Sequence, residues 1–328
     1  MGLRQQRGIN VMSKVTGTFW LGHYDTVKTR FSSLKKIRWG RYSVISIPSL
    51  WLALFFFIPF VVVFKISLAE SAIAVPPYTD MFSWNVEEAI IDVKIKLGNY
   101  LYLFEDTFYL DAYLSSVKIA AVSTFFTLII GFPMAYFIAS KTGSMRTLLL
   151  TLVILPFWTS FLLRVYAWMG FLKKNGIVNE FLQTIGLIDQ PIQMLQTDFA
   201  VYIGIVYTYL PFMILPLYTT LEKLDGSLIE AAKDLGAGPI RTFFLITLPM
   251  SMPGILAGCL LVFIPAVGEF VIPALLGASD TLMIGRVLWD EFFQNRDWPM
   301  ASAVATMMLL ILVVPIMFLR NGKKEGTE

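Results

Sequence analysis

Six long apolar runs constrain this chain more than any other feature of its sequence. They lie at 44–67, 113–139, 147–171, 199–220, 248–276 and 300–319. About twenty apolar residues cross a bilayer core as a helix. Inside lipid the backbone must satisfy its own hydrogen bonds, which a helix does. The composition agrees, because 56% of the residues are hydrophobic and only 15% are charged. We therefore predict an all-α integral membrane protein with six transmembrane helices. The first run is too long for a secretory signal, so we expect an uncleaved anchor.

Basic residues indicate how these spans are oriented. Of the 26 lysines and arginines, nine lie before the first run. Two more follow the second run, three follow the fourth run and three follow the sixth run. Cytoplasmic segments carry the excess of Lys and Arg. Both termini and the loop at 222–247 are therefore predicted to be cytoplasmic. We divide the chain into a basic tail at 1–43, a first span with its outer loop at 44–112, a core at 113–319 and a tail at 320–328.

The basic N-terminal tail also contains aromatic residues, including Phe19 and Trp20. This combination favours the inner surface of a membrane that contains anionic lipid. Nucleic-acid binding is the weaker alternative, because so short a tail on a membrane protein usually only fixes its orientation.

The loop between the fourth and fifth runs has an ordered pattern. Its sequence from Glu230 to Pro249 is EAAKDLGAGPIRTFFLITLP. Ser227 and Glu230 have the spacing of a capping box, which predicts a helix over 228–235. Gly236 is suited to the left-handed residue that ends a helix, and Pro239 to the first turn of another. The two alanines at 231 and 232 would leave the helix surface bare. The pattern predicts a helical hairpin in water that docks onto another protein.

The spacing of this loop matches the EAA loop of binding-protein-dependent ABC importers, so the chain resembles a type I importer permease with the MetI-like fold. In that family the loop docks into the cytoplasmic ATPase. The resemblance implies an ATPase dimer, a second homologous permease, a periplasmic binding protein and the inner membrane as partners. It assigns ATPase coupling to five residues: Glu230, Ala231, Ala232, Gly236 and Pro249.

Several kinds of chemistry are disfavoured by the residues present. The sequence has one histidine, His23, and one cysteine, Cys259. This nearly excludes zinc sites and histidine-based triads. We find no P-loop and no dinucleotide motif, so we expect no cofactor and no metal. The chain is predicted not to be an enzyme, and ATP hydrolysis is assigned to a separate chain.

Glu269 is the acidic residue that lies well inside a predicted span. A carboxylate at that depth is a candidate functional group. At 1.5 Å per residue it lies about 30 Å along the helix from Leu248, in the outer half. Aromatic rings could join it in binding an organic ammonium ion. The alternatives are a structural ion pair between Glu269 and Arg164, and an aromatic belt at the membrane interface. The candidate substrate pathway comprises Glu269, Trp158, Tyr166, Trp168, Tyr207 and Tyr209.

A narrower resemblance concerns the solute. Three segments look like those of polyamine importer permeases: PPYTD at 76–80, ILPFWTSFLLRVYAWMG at 154–170 and FIPAVGEFVIPALLG at 263–277. The resemblance implies polyamine import, putrescine before spermidine. Ala274 departs from it, because we expect a glutamate there. The alternatives are the same architecture with a cationic amino acid or organic anion as solute, and, from another class, an ion-coupled secondary transporter or an intramembrane enzyme.

Overall fold

The computed structural model describes residues 44–85 and 90–322, so the predicted tail at 1–43 and the last residues of the chain lie outside it. The chain divides into two units, one ending at Val63 and one beginning at Phe64. The first helix, α1, is Val44–Ser67, as the first apolar run predicts. Its residues in the first unit are exposed almost throughout. A run of exposed apolar side chains is what a lipid-facing helix requires.

The outer loop contains a short β-hairpin that the all-α prediction does not include. Strands β1 (Phe82–Asn85) and β2 (Ile90–Val93) pair antiparallel, with Phe82 opposite Val93 and Asn85 opposite Ile90. The β-branched residues of β2 favour this conformation. The hairpin is followed by α2, Gly98–Glu105. The membrane part of the described chain is helical, as predicted.

Three long helices form the centre of the second unit. They are α3 (Thr107–Ala139), α7 (Asp198–Leu221) and α9 (Pro239–Val267), and they pack against one another more extensively than any other described helices. Small residues allow this close approach. A Cβ on Gly254 of α9 would lie 2.6 Å from Oγ1 of Thr220 and 2.9 Å from the carbonyl oxygen of Pro216 on α7. Only glycine fits there, because any side chain would force the two backbones apart.

The third apolar run, 147–171, is not one continuous helix. Helix α4 (Gly143–Ile154) passes into a 3₁₀ turn at Leu155–Trp158, and α5 (Phe161–Leu172) begins after a sharp change of direction. The segments before and after the break are bent by 92°. Pro156 lacks the N–H that would continue the helix, and Thr159 is extended. The next helix is α6, Ile177–Thr184.

The fifth run, predicted as one span over 248–276, also differs in the structure. Helix α8 (Gly226–Asp234) precedes α9, and α9 begins at Pro239 and ends at Val267. A π-helical turn at Phe243–Thr247 joins the start of α9 to the apolar run without a break. The helix is then interrupted at residues 268–270, after which α10 (Val271–Leu276) begins. Glu269 therefore lies at a helix break rather than inside a helix.

The remaining helices are α11 (Ile284–Trp289), which continues as a π-helical turn at Asp290–Gln294, and α12 (Trp298–Gly322). Four of the described helices are long and apolar enough to cross a membrane. A fifth span results if the two segments joined at the 92° bend, Gly143–Trp158 and Phe161–Thr184, count as one; we call them the bent pair. The number of six spans remains a prediction.

Candidate functional site

Helix α8 begins two residues earlier than the sequence predicts. Its N-cap is Asp225, whose Oδ1 accepts a hydrogen bond of 3.0 Å from the backbone N–H of Ser227. The predicted capping box between Ser227 and Glu230 is therefore wrong, because both Ser and Asp can cap a helix and Asp225 occupies the cap. The backbone N–H of Ser227, and then its hydroxyl, lower the pKa of the Asp225 carboxyl because they stabilise its charged form.

The end of α8 is a Schellman motif, as the position of Gly236 predicts. Gly236 has a φ of +79°. Its N–H donates to the carbonyl of Lys233 at 2.8 Å, and the N–H of Ala237 donates to the carbonyl of Ala232 at 2.9 Å. These two bonds satisfy carbonyls that a helix end otherwise leaves without partners. The motif turns the chain sharply towards α9, and Pro239 lies in the first turn of that helix.

Helix α8 and the first turn of α9 form a helical hairpin, as predicted for this loop. The surface of this helical hairpin is partly apolar. Glu230 and Ala231 are exposed, whereas Ala232 is buried, so only one of the two alanines leaves the helix surface bare. Leu235 is 89% exposed and Ile240 is 75% exposed. Exposed apolar side chains beside a charged, capped helix are typical of a docking surface. Pro249, further along α9, is also exposed.

An ion pair connects the end of α7 to the start of α4. Nη1 of Arg146 donates to Oε1 of Glu222, the residue that follows α7. Nε of the same guanidinium donates to the backbone carbonyl of Lys141 at 2.7 Å. Arg146 thus contacts the end of α7 and the turn before α4. The ion pair therefore ties the segment between α7 and α8 to α4, the first helix of the bent pair.

Glu269 is surrounded by hydrogen-bond donors. Oε1 accepts from the backbone N–H groups of Phe270, Val271 and Ile272 at 3.2, 3.1 and 3.4 Å. Oε2 accepts from the Tyr209 hydroxyl at 2.6 Å. The side chain is 8% exposed. A buried carboxylate is tolerated when its oxygens are hydrogen-bonded, and here the bonds also tie the start of α10 to α7.

The backbone at this break is held by α11. A Cβ on Gly285 would lie 2.3 Å from the carbonyl oxygen of Gly268 and 2.7 Å from that of Glu269. The preceding residue, Ile284, donates its N–H to Oγ of the buried Ser116 on α3 at 2.7 Å. Gly285 therefore permits a backbone contact that any other residue would prevent, and the break is fixed from two sides.

Arg164 does not pair with Glu269 in the part of the chain that the structure describes. The guanidinium carbon lies 5.5 Å from the ring centre of Phe157 and 5.9 Å from that of Phe161. Nε of Arg164 is buried and has no hydrogen-bond partner among the described residues. The alternative of a Glu269–Arg164 ion pair is therefore wrong. The tyrosine hydroxyl and three backbone N–H groups occupy the place that Arg164 would take.

The structure brings only some of the candidate aromatic residues together. Tyr209 contacts Glu269, and the rings of Trp168 and Tyr207 lie 5.5 Å apart in an edge-to-face arrangement. Trp158 and Tyr166 are 76% and 54% exposed, and neither ring contacts another aromatic ring within the described ranges. The candidate pathway therefore contains two separate pairs and two exposed rings.

One set of residues near Glu269 is missing from the sequence-based candidates. The ring of Phe270, the next residue after Glu269, stacks on Trp289 of α11 at 4.4 Å and 9°. Trp289 in turn lies 4.1 Å from Phe293. The i, i+4 spacing of Trp289 and Phe293 is visible in the sequence and places them on one helix face. Their contact with Phe270 joins residues far apart in the chain, and no local pattern indicates it.

The described residues contain no group of three His, Cys, Asp or Glu side chains that could hold a metal ion.

Comparison with known proteins gives the family. The family described as "Binding-protein-dependent transport system inner membrane component" matches residues 41–324. The chain is 41% identical over 269 residues to the spermidine/putrescine transport system permease protein PotB of Escherichia coli, covering 82% of this chain and 92% of the relative. It is 43% identical over 230 residues to PotB of Haemophilus influenzae, covering 70% and 80%.

A solved structure supports the same fold. A bacterial ABC transporter that imports the acidic polysaccharide alginate has a chain that aligns with a TM-score of 0.66 at 17% identity, covering 91% of this chain and all of that one. At this identity the likeness concerns the fold alone. The family match covers most of the chain, including the hairpin and the Glu269 site, and the chain belongs to the family of inner membrane components of binding-protein-dependent transport systems.

Proposed function

We propose that this chain is the permease subunit of an ATP-driven importer of polyamines, with putrescine or spermidine as the solute. The observation that carries the proposal is the 41% identity, over 82% of the chain, to a relative named for spermidine and putrescine transport. The Glu269 site is compatible with a cationic solute, because its buried carboxylate has no basic partner among the described residues. Both PotB relatives are named for spermidine and putrescine, so the proposal does not rank putrescine before spermidine.

The proposal includes the partners of such a system. They are a second homologous permease subunit, a cytoplasmic ABC ATPase dimer and a periplasmic polyamine-binding protein, together in the bacterial inner membrane. One solved relative in fold is described as an alginate ABC transporter in complex with a pentasaccharide-bound periplasmic protein. The chain itself is not an enzyme in this scheme. No nucleic acid and no cofactor takes part.

The coupling step is assigned to the hairpin, that is, to Glu230, Ala231, Ala232 and Gly236, with Pro249 further along α9. Closure of the ATPase would move the hairpin, and α9 would carry the movement to the break at Glu269. Access to the solute site would thereby alternate between the two sides of the membrane. The charge reversal Glu230→Lys on the exposed docking surface is expected to abolish uptake and leave membrane insertion intact.

Uptake of labelled putrescine and spermidine tests the function directly. A strain that lacks its own polyamine importers should regain uptake when this chain is expressed with its partner subunits, and an ATPase-inactive partner should remove it. Uptake that continues without the ATPase would favour an ion-coupled transporter. Uptake of only a cationic amino acid or an organic anion would keep the architecture and overturn the polyamine assignment.

Orientation is tested with single cysteines in a chain whose native Cys259 is replaced by alanine. Ser144, Ser227 and Ser279 are exposed, and serine to cysteine is a small change. We propose that Ser144→Cys and Ser227→Cys lie in the cytoplasm and Ser279→Cys outside it. An impermeant reagent should therefore label only Ser279→Cys in intact cells. Labelling of Ser227→Cys there would overturn the orientation and the ATPase contact with it.

A further inference from the structure

A continuous series of aromatic rings leads from the outer loop to the Glu269 site. The ring of Tyr78 lies 6.2 Å from that of Trp298, which stacks on Phe292 at 5.0 Å and 5°. Phe292 lies 4.8 Å from Phe293, and Phe293 lies 4.1 Å from Trp289. Trp289 stacks on Phe270, which follows Glu269 directly. We call these six residues the aromatic ladder: Tyr78, Trp298, Phe292, Phe293, Trp289 and Phe270.

The ladder is not an interior core. Trp289 is 40% exposed and Phe293 is 54% exposed, and the other four rings are partly exposed. A soluble outer surface would gain little from placing so many large rings in contact with solvent. A ring with an open face, in contrast, attracts a cation through the negative charge above its plane. The ladder therefore offers a row of weak cation sites.

The charge around the ladder has the sign that a cation requires. Residues 290–297 contain three carboxylates and one arginine. Glu291 accepts from the Tyr109 hydroxyl at 2.7 Å and from Asn295 at 3.0 Å, and Asp290 accepts from Gln294. These partners are neutral, so they leave the negative charge of both carboxylates uncompensated. Glu269 directly precedes Phe270, the last ring of the ladder, so a further carboxylate lies at that end.

We propose that the aromatic ladder is a binding path for organic ammonium groups, which carries the solute from the outer mouth of the chain to Glu269. This inference rests on the proposed function, because it assumes a polyamine as the solute. Several weak sites in a row suit transport better than one strong site, since the solute must leave each of them. Aromatic faces also accept the methylene segments between the ammonium groups of a polyamine. The class of ligand is an aliphatic chain with separated primary ammonium groups.

The test replaces Trp289 in the whole importer, reconstituted in proteoliposomes with the binding protein saturated by labelled polyamine. Trp289→Phe keeps a ring and should retain most of the transport rate. Trp289→Leu keeps apolar bulk but removes the ring, and should lower the rate by about threefold to tenfold. Phe126→Leu is the matched control, because Phe126 is an aromatic residue of α3, 45% exposed and outside the ladder. It should leave the rate unchanged.

Fluorinated tryptophans at position 289 separate the charge effect from packing. Each added fluorine weakens the negative face of the ring and hardly changes its shape. The transport rate should fall stepwise with the number of fluorines, while the amount of assembled importer stays constant. A rate that does not depend on fluorination, in an importer that transports polyamine normally, would overturn the ladder and leave the proposed function standing. Absence of polyamine transport in the unmodified importer would instead overturn the proposed function itself.

Discussion

Replacing Gly236 at the end of α8 should uncouple the transporter without unfolding it. A Cβ at this position would meet nothing within 4 Å, but the backbone has a φ of +79°. The only cost of Gly236→Ala is therefore backbone strain. For an L-residue in the left-handed conformation, this strain is about 1–2 kcal/mol. Since 1.4 kcal/mol is tenfold, the population of the native helix end should fall about fivefold to thirtyfold relative to other conformations.

Three variants at Gly236 and one control separate strain from bulk. Gly236→Asn should keep most uptake, because asparagine tolerates the left-handed conformation. Gly236→Ala should lose uptake in proportion to the strain. Gly236→Trp adds a large ring to an exposed surface and should abolish both uptake and copurification of the ATPase. Gly226→Ala is the control, since Gly226 is also surrounded by open space but has no positive φ.

The assay measures polyamine uptake, ATPase copurification and the amount of chain in the membrane for each variant. The membrane amount should not change, because a few kcal/mol in one surface hairpin does not unfold a bundle of long helices. Normal uptake and ATPase binding by Gly236→Trp would refute the assignment of the hairpin as a coupling element. Equal activity of the alanine and asparagine variants would refute the strain argument alone.

Further predictions concern Glu269, Arg164, the Arg146–Glu222 pair and the Asp225 cap. Glu269→Gln should lower uptake about tenfold with the binding protein's affinity unchanged, and normal uptake by a well-expressed variant would remove Glu269 from the pathway. Arg164→Met should not rescue Glu269→Gln, because the two side chains are not paired. Charge reversal at Arg146 or Glu222 should each lower uptake by about fivefold or less, as expected for a partly exposed pair, and the exchanged pair should recover most of it. The pKa of the Asp225 carboxyl is lowered in the folded chain, so its cap stabilises α8 fully above the unfolded carboxyl pKa, and this stabilisation is lost as the pH falls through the lower folded value. The protection factor of the Ser227 amide, that is, its exchange rate corrected for the intrinsic rate at each pH, should therefore fall in acid.

The sequence predicts helices much better than it predicts their interruptions. The bounds of α1 and α7 follow from hydropathy almost to the residue. Prolines do not indicate where a helix ends, since Pro133 and Pro211 lie inside α3 and α7, whereas Pro156 lies in the 3₁₀ turn that follows α4. Neighbouring helices can satisfy the backbone groups that a proline frees. Whether a proline ends a helix therefore depends on how neighbouring helices pack, which a single sequence does not show.

The candidate site residues show the same contrast: local features are predictable from the sequence, and contacts between distant residues are not. Gly236 is predictable because its role is local: it ends a helix whose pattern lies beside it in the sequence. The partner of Glu269 is not predictable, since a nearby arginine on another span and a tyrosine hydroxyl are equally plausible from the sequence. Only the packing of α7 against α9 brings Tyr209 into hydrogen-bond distance. The ladder requires a contact between Tyr78 and Trp298, which lies more than two hundred positions away in the chain.

The unbroken course of α9 has a mechanical consequence. Its 29 residues give a length of about 43 Å at 1.5 Å per residue. A helix of that length acts as a lever arm, so tilting it by about 5° about one end displaces the other by about 4 Å. That distance is comparable to the gap between stacked rings at Phe270 and Trp289. A tilt of α9 by about 5° is thus large enough to displace the end of the helix near Glu269 by about one ring spacing. Such a displacement would separate the stacked rings of Phe270 and Trp289.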